Sequence, residues 1–367
     1  MTMWHFAVLT LTAIFIVTTW LPLLRCQHWL IRGFDFPRLQ IVIALGLLLI
    51  IQLDWLTTHT SPINMAYMAI MCFVTSISFI WQLWWILPYT RLWKKEVKSA
   101  YGDSNHSQQK FKQNPKHDHK HNFNESEVSI LTANVLGPNR QADKLLNLVE
   151  KYDPDILVTL ESNKWWQGQL DKLESVMPYT VKCPLENLYG MHVYSKLELC
   201  DTSIEYLIQE NVPSIHTTIT LTNNQKVKAH FLHPAPPSPT ENETSTERDV
   251  ELIFVARELI DKTVPTIVTG DLNDVAWSKT TRLFRKFSGL LDPRIGRGMF
   301  NTFHVDIPFA RWPLDHLFHS KHFTVAQIKC LPSIGSDHFP LFTRLVFSPK
   351  GSDGQEGLDI EAGDKEL

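Results

Sequence analysis

The sequence predicts an α/β domain carried behind a membrane region, and three observations predict it. Before residue 90 lie three apolar segments, at about residues 3–24, 39–56 and 63–87, close to the ~20 residues a helix needs to cross a bilayer. Between residues 127 and 347, short β-rich runs alternate with stretches of helical periodicity. Lone polar and ionisable residues stand at the ends of those runs, where a half-buried charge is costly unless something uses it.

The first apolar segment contains His5 and a few threonines but no Lys or Arg before it, so it reads as a retained helix and not as a cleaved signal peptide. Trp20, Trp29, Trp55, Trp81, Trp84, Trp85 and Trp93 gather near the segment ends, as interfacial belts do. Arg25, Arg32 and Arg38 lie between the first and second segments, and Arg91, Lys94, Lys95 and Lys98 follow the third. The loop between the second and third carries neither Lys nor Arg. The positive-inside rule therefore puts the N-terminus outside and everything after residue 90 in the cytoplasm, on an inner (plasma) membrane. The second segment is short, and its failure to span would invert the arrangement.

Residues 91–126 read as a linker, first basic and then polar and His-rich. It holds too little apolar surface to offset its ordering entropy, although His106, His117, His119 and His121 are capable of adventitious metal binding. The domain proper spans 127–347, with strands expected at 128–133, 155–160, 189–194, 215–221, 227–232, 263–269, 314–318, 323–329 and 339–347. Helices are expected at 141–151, through Leu145, Leu146 and Val149, and at 247–261, through Val250, Ile253, Phe254 and Leu259. The Gly- and acid-rich tail, 348–367, reads as disordered.

Charge and cysteine usage exclude some classes. A formal net charge of -3 gives no global basic field, so nucleic acid is not indicated as a partner by charge. The five cysteines show no CxxC pair, which argues against a disulfide framework and a zinc site.

The chemistry centres on Gly270-Asp271-Leu272-Asn273, directly after a buried apolar run. Gly270 permits a sharp turn. Asp271 and Asn273, two residues apart, can share one ligand. A carboxylate that positions or deprotonates water beside an amide that donates without adding charge suits a phosphate. An isolated match of this kind reads first as an Asx turn closing a strand. The other strand ends decide the matter, because Asn134, Glu161, His233, Asp315 and Asp337-His338 occupy the same kind of position.

These residues sit in an ordered series: Leu131-Thr132-Ala133-Asn134-Val135, Leu160-Glu161-Ser162, His230-Phe231-Leu232-His233-Pro234, Gly270-Asp271-Leu272-Asn273-Asp274, Leu314-Asp315-His316-Leu317-Phe318 and Ser336-Asp337-His338-Phe339-Pro340. In this series the chain from about residue 128 to 345 resembles the endonuclease/exonuclease/phosphatase superfamily. The resemblance implies a four-layer α/β sandwich, two packed mixed β-sheets flanked by helices. It implies a metal-dependent phosphoesterase using Mg²⁺ or Mn²⁺, with Glu161, Asn134 and Asp337 at the cation. It also implies that Asp271 prepares the water, Asn273 binds a phosphoryl oxygen, His338 contacts the scissile phosphate and Asp315 orients that histidine. His233 corresponds to a second histidine near the leaving group. Its supporting carboxylate is replaced by the Cys183-Pro184 region, with Glu186 the nearest substitute in sequence. His316, next to Asp315 on a strand, points to the opposite face.

Substrate contacts are less defined. Arg294, Arg297 and Arg311 are candidates for phosphate, and Trp277 and Trp312 for stacking on a base or touching lipid, with core packing as the alternative. Lys279, Arg282, Arg285 and Lys286 share a helix face that grips a polyanion or is simply solvated. The expected partners are thus a phosphate ester and the lipid bilayer. The competing function is a catalytically inactive membrane protein that uses the same fold as a binding module.

Overall fold

The computed structural model describes residues 3–58, 62–101, 126–259, 263–348, 354–361 and 364. Helix α1 (Met3–Trp20) is followed by a short α2 (Trp29–Arg32), then α3 (Arg38–Thr58) and α4 (Pro62–Ile86). Three helical stretches, Met3–Leu23, Arg38–Thr58 and Met65–Tyr89, are long and apolar enough to cross a membrane, with mean hydropathies of 2.0, 2.2 and 1.7. Ile43, Leu47 and Ile50 form an exposed stripe at helical spacing on α3. Polar side chains turn inward instead and satisfy one another. Gln52 Nε2 donates to Thr12 Oγ1 at 3.1 Å, Gln82 Nε2 to Thr19 Oγ1 at 3.2 Å and Trp20 Nε1 to Ser78 Oγ at 3.1 Å. Apolar surroundings offer no other partner for such groups, so these bonds select how the helices pack.

The domain follows as β1 (Ser126–Asn134), α5 (Ala142–Tyr152), β2 (Ile156–Leu160), α6 (Lys164–Leu170), β3 (Tyr179–Cys183), β4 (Met191–Ser195), β5 (Leu199–Glu205), β6 (Ser214–Thr220) and β7 (Lys226–Leu232). Then come α7 (Thr246–Glu258), β8 (Thr266–Asp271), α8 (Lys279–Ser288), β9 (Asp315–His319), β10 (Phe323–Cys330) and β11 (Leu341–Phe347). One sheet has six strands in the order β10-β11-β1-β2-β4-β3, and the other has five in the order β5-β6-β7-β8-β9. Both are mixed: β1–β2 and β7–β8 are parallel pairs, and the remaining pairs are antiparallel.

Residue alternation builds the four layers. Ile130, Ile156, Phe231, Ile267 and Leu317 fill the space between the sheets. Their neighbours Leu131 and Leu157 face α5 and α6, and Leu232, Val268 and Phe318 face α7 and α8. A strand buried on both faces reads as a continuous apolar run, which is why these strands are visible in sequence. The two-sheet sandwich flanked by helices is the architecture that the resemblance implied.

Two expected irregular segments are partly structured. Residues 98–100 run alongside β10, with Ala100 N donating to Val325 O at 2.9 Å and Val325 N to Lys98 O at 3.0 Å, and Val97 is fully buried. These contacts cover an open sheet edge. The His-rich part of the expected linker lies outside the described residues. In the tail, Gln355 is buried, donates to Lys321 O and Phe323 O at 2.8 and 3.1 Å, and accepts from Lys98 N at 2.7 Å. One satisfied amide thus docks a stretch whose composition suggested disorder.

The N-terminal helices and the sandwich share a core of Val42, Ile86, Tyr89, Val275, Ala276, Trp277, Ile295 and Leu314. Trp277 Nε1 donates to Asp35 O at 2.8 Å, Tyr89 Oη to Ala276 O at 2.6 Å and Gly296 N to Pro88 O at 2.8 Å. Ser245 N donates to Gln27 O at 2.8 Å. The loop after α1 and the segment after α4 therefore both meet the domain.

Candidate active site

The site forms where strands of both sheets end together. Asn134 closes β1 beside Leu160, and Glu161 follows immediately. Asp271 ends β8 directly opposite Asp315, which begins β9. His338 precedes β11. Thr132 Oγ1 and Thr269 Oγ1, 2.9 Å apart, tie β1 to β8 across the sandwich just inside the site. Gly270 is required here: its φ is 153°, and a Cβ would lie 1.8 Å from Leu232 O on the neighbouring strand. Glu161 and Asn273 adopt left-handed conformations, φ 57° and 51°, which aim their side chains off the strand ends.

One line of hydrogen bonds and one ion pair joins the polar groups. Asn134 Nδ2 donates to Glu161 Oε1 at 2.8 Å and lies 3.2 Å from Asp271 Oδ2. Asp271 Oδ2 is 3.5 Å from His338 Nε2, and His338 Nδ1 is 2.7 Å from Asp315 Oδ2. Asp271 Oδ1 accepts from Asn273 N at 2.9 Å. Asn273 Nδ2 donates to Pro234 O at 3.0 Å, which leaves the second amide hydrogen for a ligand. Arg248 donates to Asn273 O at 2.7 Å and fixes the turn.

Burial sets the charge states. It opposes a charge on His338, but the Asp315 and Asp271 carboxylates outweigh it and raise the imidazole to about 10, so this ring is a cation at neutral pH. Burial pushes Glu161 up to about 7, against the Asn134 hydrogen bond and the His338 charge; Asp337 and Asp271 add to the rise. His233 is lowered to about 4 by burial and is neutral.

A divalent cation fits this donor set. The buried Glu161 Oε2 has no hydrogen-bond partner, and burial disfavours its charged form, which a bound cation would restore. Ligand atoms of Asp271, Asp315 and His338 also lie within 4.8 Å of one another. Asp315 and His338 are already hydrogen-bonded at 2.7 Å, and an imidazolium has no lone pair to offer, so the open position is on the Glu161 side. Asp337 is half-buried, accepts from Ser336 Oγ at 3.2 Å, and sits near enough to act on Glu161 and His338.

His233 stands near Asp271 with its ring 5.4 Å from that of Tyr189, and its buried Nδ1 has no partner. Glu186 does not support it. Glu186 accepts from Asn163 Nδ2 at 2.9 Å and belongs to the start of α6. His316 points away as expected, onto Arg294 and Asp274 O at 2.7 and 2.9 Å.

Three of the suggested substrate contacts are committed elsewhere. Arg294 is buried in a two-pronged pair with Asp292, both bonds 2.9 Å. Arg297 donates to Val97 O at 2.7 Å and pins the segment that covers β10. Trp277 anchors the domain on Asp35. Trp312 reaches toward the site: it stacks on Phe303, whose ring lies 4.9 Å from that of His338. Arg311 donates to Val305 O at 2.7 Å. On α8, Arg285 pairs with Glu96 and Lys286 with Asp364, so two of the four basic residues suggested on this face are committed to protein partners. Sequence reasoning missed Tyr189 and Phe303, two aromatics that reach the site from outside the polar motifs.

A family model described as Endonuclease/Exonuclease/phosphatase family matches residues 131–338. The crystal structure of TDP2 from D. rerio, humanized by 14 mutations, superposes with a TM-score of 0.51 at 17% identity, covering 60% of this chain and 98% of that one. D. rerio TDP2 complexed with a single-strand DNA product gives a TM-score of 0.51 at 17% identity, covering 60% and 99%. The human Nocturnin catalytic domain with a bound sulfate anion gives 0.49 at 16% identity, covering 60% and 94%. No curated protein matches the chain.

Proposed function

The chain belongs to the Endonuclease/Exonuclease/phosphatase family, and from that premise we propose that it is a membrane-anchored, divalent-metal-dependent phosphoesterase whose catalytic domain is residues 127–347. The observation that carries this reading is the continuous line from Asp315 through His338, Asp271 and Asn134 to Glu161. A binding module has no need of a buried imidazolium held between two carboxylates beside an unpaired third.

In this reading Glu161, Asn134 and Asp337 hold Mg²⁺ or Mn²⁺; a hard cation that keeps most of its waters needs only one or two protein carboxylates. When bound, the cation neutralises charge on phosphoryl oxygens. Asp271 orients and deprotonates the attacking water. His338 donates its Nε2 proton to a non-bridging oxygen, with Asp315 fixing its orientation and charge. Asn273 donates its second amide hydrogen to the phosphoryl group. Neutral His233 stands near the leaving group as a polar contact.

The substrate class is a phosphodiester or phosphomonoester at a bilayer surface. The support is the wall that the site shares with the membrane helices. Phe303 packs on His338, Trp312 stacks on Phe303, and Phe36 of the loop between α2 and α3 meets Trp312 edge-on at 5.6 Å. Loop charge favours an inner membrane with the domain in the cytoplasm.

The test is hydrolysis of a generic phosphodiester, a single-stranded nucleic acid and a phospholipid by the full chain in detergent, with Mg²⁺ or with chelator. Turnover of at least one, lost with chelator and in Glu161→Ala, is expected. Unchanged turnover in that variant would refute the cation assignment. Cation binding without turnover of any of the three would favour the binding module.

A further inference from the structure

A cavity of about 570 Å³ lies away from the catalytic line, where the end of α4, the segment 93–98 and helix α8 meet. Its walls are of two kinds. Trp84, Trp85 and Trp93 form an aromatic side, with Trp84 and Trp93 edge-to-face at 6.3 Å. The other side carries Lys94, Lys95, Lys98, Arg282 and Arg285 against Glu96 and Glu356. Arg285 pairs with Glu96, so the remaining lining balance is basic. The Arg282 guanidinium lies over Trp85, 5.7 Å from the ring centroid, which holds a cation at the aromatic boundary.

The position of the cavity identifies its occupant. Trp84 lies in the last turn of a helix long and apolar enough to cross a bilayer. Ile77, Ile80 and Trp84 are exposed on that helix at spacings of three and four residues, so one apolar stripe runs along α4 up to the cavity. Basic residues at the end of a membrane span, beside interfacial tryptophans, are where anionic headgroups collect. We propose that this cavity binds the phosphate headgroup of an anionic phospholipid, with the acyl chains laid along Ile77, Ile80 and Trp84. Lys94 and Arg282 meet the phosphate, and Trp93 covers the glycerol region. The docking core made by Tyr89, Ala276, Trp277 and Ile295 also lines the cavity, so the lipid would brace the domain against the helices.

Native mass spectrometry of the full chain in detergent, with equimolar phosphatidylglycerol and phosphatidylcholine, tests this. The wild-type chain is expected to retain phosphatidylglycerol about tenfold over phosphatidylcholine. The ratio should fall towards one in Lys94→Gln/Arg282→Gln and part-way in Lys94→Gln alone, whose exposed side chain is not needed for folding. Lys172→Gln, a remote surface change, should leave it unaltered. Equal retention of the two lipids by the wild type, or equal loss in the remote variant, would overturn the proposal. So would displacement of the bound lipid by millimolar inorganic phosphate, which would make the cavity a site for free anions.

Discussion

Asp315→Asn isolates the role of charge in the proposed catalytic line. The carboxylate lies 2.7 Å from His338 Nδ1, both groups are buried, and asparagine keeps the shape while removing the charge. A hydrogen bond to a charged group contributes ~1.5–3 kcal/mol, and at ~1.4 kcal/mol per tenfold its loss corresponds to roughly 10- to 150-fold in rate. The direction with pH follows from the histidine. Its folded pKa, about 10, lies above the ordinary value of 6.5, so the pairing stabilises fully below 6.5 and is lost as pH rises through 10. Without the anion, the imidazole loses its proton at lower pH and the alkaline limb of activity moves toward neutrality. The assay is kcat/KM for a chromogenic phosphodiester from pH 6 to 10, with the thermal midpoint as a check on folding. A variant within threefold of wild type throughout, with its alkaline limb unmoved, would refute the reasoning.

Other parts of the fold carry their own expectations. Glu251 is buried on α7, and burial alone raises it to about 8 from 4.5, so the protein should lose stability as pH rises through that window. Glu251→Gln should recover up to a few kcal/mol at pH 8 and almost nothing at pH 4, at ~1.4 kcal/mol per pKa unit; a denaturant titration at both pH values checks the difference. Gly270→Ala places a methyl against the Leu232 carbonyl, which is backbone and has no rotamer to yield, so a loss of more than ~4 kcal/mol is expected. Survival of a wild-type thermal midpoint would contradict that geometry. Trp277→Phe removes a buried bond to Asp35 O and should cost ~1–3 kcal/mol at the docking face. Hydrogen exchange at residues 33–36 and 276–278 should then rise, and unchanged protection would count against the shared core.

What the sequence revealed depended on burial and locality. β2 and β8 announce themselves because they are buried along their whole length, and β7 because Val227, Ala229 and Phe231 alternate with the exposed Lys226 and Lys228. β3 and β5 escaped because each is an outer strand with exposed residues, Tyr179 in β3 and Asp201, Thr202 and Ile204 in β5. Leu199–Glu205 of β5 has no fully buried residue, so its polar run lacks the alternation that marks a strand. The site was legible for a different reason: its polar residues sit at strand ends within short local motifs. Arg294 was misjudged although Asp292, its partner, lies two residues upstream, which is a readable local signal. Arg297 and Trp277 had no such signal, because Val97 and Asp35 are distant in sequence and only the docked arrangement unites them.

That docked arrangement changes how the N-terminal helices relate to the proposed chemistry. A polar spacer would let the domain diffuse on a leash, with the helices supplying only local concentration. Here one turn links both functions. Asp271 and Asn273 stand at its start, Asp274 pairs with the buried Arg248 at 3.2 Å, and Trp277 is fastened to Asp35 in the loop between α2 and α3. Arg248 in turn holds Asn273 O. A displacement of the helix ends is therefore carried within six residues to the group proposed to prepare water. The bundle acts as part of the scaffold that sets the site's geometry, and substitutions such as Trp277→Phe should reach catalysis through position while leaving the polar residues intact.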